Sequence, residues 1–153
     1  MQRLIKLAEK NNIEIVEMQL AGNLKGLYAD RVIALKKGLS EKEKNCMLAE
    51  ELGHHFTTHG NILDQTDVSN RKQELKARAW GIQTLANLDL LIKGYFNTYN
   101  ASELAEYLNI TDEYLADCIN YYTAKYGNVF KYKDYIVQLT PLKIIEQDKE
   151  LLL

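Results

Sequence analysis

Three things are missing from this chain: a surplus of one charge, a long apolar run and a cysteine framework. Its 19 basic and 21 acidic residues leave a net charge of −2, so no overall positive field gathers nucleic acid or an acidic membrane surface. No apolar stretch approaches the roughly 20 residues that span a bilayer. The segment from Met1 to Lys10 is interrupted by charge every few residues, so it is not expected to be a signal peptide. Two cysteines, Cys46 and Cys118, lie far apart in the sequence. They read as buried free thiols, which fits a reducing compartment and a cytoplasmic location. There is no internal repeat, low-complexity tract or linker, and 153 residues suffice for one real core but not for two full-sized domains.

What is present is a succession of short, well-punctuated elements. Leu4, Ile5, Leu7 and Ala8 recur at helical spacing, and Ile13, Ile15 and Val16 change the rhythm to a strand. Leu27 to Ala29 and Val32 to Leu35, separated by Asp30-Arg31, suit a tight hairpin. The first third is thus expected to be a helix beside a small antiparallel sheet. Ser40 with Glu43 makes a capping box, and Cys46, Met47, Ala49, Leu52 and Phe56 continue it as a helix to about Thr58, stopped by Gly60. A polar loop from Asn61 to Asp67 leads to a second long helix, expected from Val68 to Lys93-Gly94. Asn100 with Glu103 opens a short helix to Leu108, and Asp112 to Tyr126 forms another, giving a helix-turn-helix outline. Val129 to Tyr132 and Tyr135 to Leu139 form a last hairpin closed by Pro141, with a weak helix or frayed tail after it. The expected class is α+β, with residues 1–94 and a helical region 95–153 in one compact unit.

The chemistry concentrates in Glu50-Glu51-Leu52-Gly53-His54. Glu50 and His54 are four residues apart and project from one helix face, with Glu51 one step round. In the zincin motif His-Glu-x-x-His two histidines bind zinc and the glutamate is the general base. Here Glu50 stands where the first histidine would be, and a carboxylate oxygen is itself a zinc ligand. Spacing alone leaves open a solvated acidic face with imidazoles near a helix end. His55 and His59 are also four apart and could form an alternative ligand face with Glu51, though exposed histidines at a fraying helix end are the simpler account. His55 could instead assist near a reacting carbonyl. If Glu50 is only a solvated carboxylate, ligands are to be sought among His55, His59, Asp64 and Asp67. Cys46 is read as core.

Three stretches, Leu24 to Leu35, Cys46 to His55 and Glu74 to Gly81, together resemble the ImmA/IrrE family of metallopeptidases over roughly residues 1 to 140. The resemblance implies a zincin-like fold in which a hairpin precedes the metal helix and a glutamate on the next helix completes the site. It implies His54 and Glu74 as metal ligands, Glu50 at the first-histidine position, Glu51 as general base, and Zn²⁺ or another divalent ion as cofactor. It also implies a helix-turn-helix transcriptional repressor, often of a phage or mobile element, as the protein substrate. The alternative is a non-catalytic anti-repressor or toxin-antitoxin partner that acts by binding, favoured by the acidic residue at Glu50.

A DNA-binding regulator rests on the helix-turn-helix outline alone. Between Thr98 and Tyr126 stand Glu103, Glu106, Asp112, Glu113 and Asp117 against Lys125, and acidic residues at the start of a recognition helix repel phosphate. The tyrosines Tyr107, Tyr114, Tyr121 and Tyr122 fit core and rim positions better than a base-stacking platform, which needs a basic groove. This half is expected to pack and to recognise protein, with no nucleic acid and no membrane among its partners.

Overall fold

Leu4 and Ala8, one helical turn apart, are buried and anchor helix α1 (Gln2–Lys10). The computed structural model to which this helix belongs describes residues 1–58 and 67–148. His59, Gly60, the polar loop to residue 66 with Asp64, and the side chain of Asp67 lie outside what is described, as do residues 149–153.

Strands β1 (Glu14–Met18), β2 (Gly26–Ala29) and β3 (Val32–Lys36) form one sheet in the order β1-β3-β2. The hairpin between β2 and β3 turns at Asp30 and Arg31, both at positive φ (46° and 63°). That is the twist two-residue hairpins prefer. The expectation of an antiparallel sheet holds for this pair and fails for β1, which runs parallel to β3 with Glu14 opposite Val32. The sheet is therefore mixed, with β2 at one edge.

Helix α2 (Glu41–Thr57) opens with the capping box: Glu43 N–H donates to Ser40 Oγ, and Ser40 N–H donates to the Glu43 carboxylate at 2.9 Å. Its buried residues include Cys46, Leu48, Ala49 and Leu52. The single helix expected from Val68 to Gly94 is two, α3 (Asp67–Leu85) and α4 (Leu88–Phe96). Asn87 caps the second through Leu90 N–H at 2.9 Å. The buried Tyr122 hydroxyl donates to the Ala86 carbonyl at 2.7 Å, supplying the partner that the break would otherwise remove. Gly94, expected as a helix stop, is a buried position inside α4, where a Cβ would stand 2.5 Å from Leu104.

Helices α5 (Ala101–Leu108) and α6 (Asp112–Tyr126) follow, capped by Asn100 and Thr111 and joined through Asn109 in the left-handed region. Asn45 of α2 is buried and donates to the Asn109 carbonyl at 2.8 Å, tying this turn to the metal-motif helix. Strands β4 (Val129–Tyr132), β5 (Tyr135–Gln138) and β6 (Lys143–Glu146) form an antiparallel meander. The last of these replaces the helix or frayed tail expected after Pro141. One hydrophobic cluster runs from Leu4 and Ile33 through Leu52, Ile82 and Leu91 to Tyr122 and Val137. Among the described residues no helix is long and apolar enough to cross a membrane.

Candidate metal centre

Helix α2 carries Glu50, Glu51 and His54, and α3 carries Glu74 and Arg78. The two helices meet where side chains are missing. A Cβ on Gly53 would stand 2.3 Å from the Ala77 carbonyl oxygen, and one on Gly81 would stand 2.8 Å from the Tyr114 hydroxyl and 3.4 Å from the Ala49 carbonyl. Separation between packed helices follows the size of the residues at the crossing, so these glycines set how near α3 comes. Gly53→Ala puts a methyl group against backbone, which cannot swing aside. It is expected to cost about 1–3 kcal/mol and lower the melting temperature by several degrees. An unchanged thermal unfolding curve would mean that the crossing tolerates a wider spacing.

The close crossing places donor atoms of Glu50, His54 and Glu74 all within 4.8 Å of one another. Among the described residues this is the one such group of three. His54 Nε2 lies 3.4 Å from Glu74 Oε1. Zinc bound tetrahedrally at ordinary ligand distances separates its donors by roughly 3.3 Å, so the donor set fits a divalent ion in both chemistry and spacing.

Electrostatics agree with a cation site. Burial raises the Glu50 carboxyl above its ordinary range and the neighbouring Glu74 charge raises it further, while Arg78 and His54 pull it down. Glu51 is only 7% exposed. Burial, then Glu50 and Glu74, push its carboxyl up to about 7, against the pull of the Tyr28 backbone N–H as hydrogen-bond donor. Three carboxylates at one place repel one another unless a cation neutralises them. Glu51 is thus no part of a solvated acidic face.

These groups line a groove of about 710 Å³, bordered by Lys25, by Leu27 of β2, and by Met47 and Arg78. His55 does not join the donor cluster. Its Nδ1 is 2.6 Å from the Tyr28 hydroxyl, and burial followed by the Arg31 charge lowers its pKa. Cys46 is buried, with its thiol raised to about 11 by burial, as expected of a core residue. Two features went unread in the sequence. Arg78 is four residues after Glu74 and so on the same helix face, a signal that was available. The Tyr28 backbone N–H carries no sequence signal.

A model of the IrrE N-terminal-like domain of peptidase family M78 matches residues 8–122. The chain belongs to the ImmA/IrrE family of metallopeptidases. The span matched runs from within α1 into α6, so this ImmA/IrrE domain takes in the first sheet, both helices of the crossing and the helix-turn-helix outline. No curated relative matches the chain significantly.

Proposed function

We propose that this ImmA/IrrE-family chain is a zinc-dependent endopeptidase in which Glu50, His54 and Glu74 hold the ion and Glu51 is the general base. The observation that carries it is the convergence of three donor atoms within 4.8 Å beside a third carboxylate that is buried. Three protein ligands with room for a water are the hallmark of a catalytic rather than a structural zinc site. The bound ion would supply Lewis acidity, acidifying a water and polarising the scissile carbonyl.

Glu51 accepts a proton from the attacking water as the new C–O bond forms, then gives it to the leaving amine as the C–N bond breaks. Burial raises the Glu51 carboxyl, and a carboxylate raised towards the working pH can both take and give a proton. Leu24 and Leu27 are about half exposed at the groove and offer apolar contact to substrate side chains. The proposed substrate is a helix-turn-helix transcriptional repressor, which places the work in the cytoplasm, where free thiols such as Cys46 and Cys118 persist. Support for that substrate is the family relationship, and cleavage would make the chain an anti-repressor.

A chelator is expected to stop repressor cleavage, and added Zn²⁺ to restore it, as followed by gel electrophoresis of the repressor. Cleavage by protein shown by elemental analysis to be metal-free would overturn the metallopeptidase reading. A second reading, a non-catalytic anti-repressor or toxin-antitoxin partner, is favoured by the carboxylate at Glu50 in place of an imidazole. Repressor binding without cleavage at full zinc occupancy would select it.

A further inference from the structure

Glycine weakens a strand because it loses the most backbone entropy and has no side chain to pack. Gly26 nonetheless opens β2, opposite Leu35, and its φ is not among the positive ones, so backbone conformation does not demand it. The demand comes from across the groove. A Cβ at Gly26 would stand 2.9 Å from Glu51 Oε1, 3.2 Å from its Cγ and 3.4 Å from its Cδ. Glu51 lines the groove, so the end of its side chain, rather than the strand, would be the part that gives way. Lys36 N–H donates to the Lys25 carbonyl at 2.9 Å, and the alternation of an antiparallel pair then turns the amides of Gly26 and Tyr28 away from β3. One of those outward groups, Tyr28 N–H, lies near enough to the Glu51 carboxylate to pull its pKa down slightly.

We propose that Gly26 is a positioning residue: the bare backbone of the β2 edge is a seat for the Glu51 carboxylate, which a side chain at this position would push off the Tyr28 amide. The proposal rests on the reading of Glu51 as general base for its consequence, since misplacing a reacting group by about 1 Å can cost on the order of 100-fold in rate. The seat itself is testable without substrate.

The experiment follows the Tyr28 amide by NMR in the full chain, metal-free, through its proton shift and hydrogen-exchange rate. Gly26→Ala is expected to move the resonance and speed exchange severalfold, as displacing a negative charge from beside the amide would. In a Glu51→Ala background, which lacks the Cγ, Cδ and Oε1 that the new methyl group would meet, the same substitution should leave the amide nearly where Glu51→Ala alone puts it. No change in the native background, or an equal change in both, would overturn the proposal by showing an effect on the strand alone. Should Gly26→Ala fail to fold, a folded Gly26→Ala, Glu51→Ala double variant supports the seat, and an equally unfolded one overturns it. Glu51 as base stands or falls separately, on the activity of Glu51→Gln at full zinc occupancy.

Discussion

Glu51→Gln is expected to keep the fold and the zinc content while lowering repressor cleavage by about 10²–10⁴-fold, the share a general base contributes. The amide has nearly the same shape and cannot take a proton from water. It also removes one of three crowded carboxylates, so the metal-free protein should not lose stability. Because the folded-state pKa of Glu51 is raised from an ordinary 4.5 to about 7, its contribution to metal-free stability is full below about pH 4.5. That contribution is lost as pH rises through about 7. Urea unfolding of metal-free Glu51→Gln should therefore show a flatter fall over that window than the native chain does. Undiminished cleavage by the variant would remove Glu51 as the base.

His54→Ala and Glu74→Ala are each expected to weaken zinc binding by on the order of 10²–10³-fold, if the binding energy is shared among few protein ligands. Neither should unfold the chain, since the Glu74 side chain is 61% exposed and His54 lies at the groove rather than in the core. Glu50 separates the two readings of the site. Glu50→His creates a His-Glu-x-x-His helix with a neutral ligand suited to zinc, so affinity should hold or rise, whereas Glu50→Ala should weaken it. Competition with a chromophoric chelator measures all four. Unchanged affinity in His54→Ala or Glu74→Ala would put the ion elsewhere. A Glu50→His variant as weak as Glu50→Ala, with both folded, would mean that the helix presents this position differently.

Local chemistry made part of this legible before any coordinates. Ser40 with Glu43, Asp30-Arg31 between apolar runs, and Asn100 with Glu103 each encode a boundary in a few neighbouring residues, and each appears where expected. Partners distant in sequence leave no such trace. The apolar residues of β1 do not encode that it lies parallel beside β3, because a strand's period of two is silent on direction. The break at Ala86-Asn87 hides within a periodicity that continues through Leu88 and Leu91, and its stabilising contact comes from Tyr122, far along the chain. Strand β6 is only four residues long and depends on β5 for its pairing. At the site, four-residue spacing showed that Glu50 and His54 share a face. That Glu51 is buried depends on β2 passing over it, which only the assembled fold reveals.

The hydroxyl of Tyr122 reaching back to Ala86 bears on how small a working fragment can be. Every donor of the candidate centre lies before residue 75, which invites cutting the chain soon after α4. Such a piece would lose Tyr122 together with Leu104, Ile110 and Leu115 from the shared hydrophobic cluster. It would also expose the underside of α3 and α4 to water and leave the carbonyl at their junction without its partner. The shortest polypeptide that holds Glu74 opposite His54 is therefore set by where α6 ends, some fifty residues beyond the last group that would touch an ion.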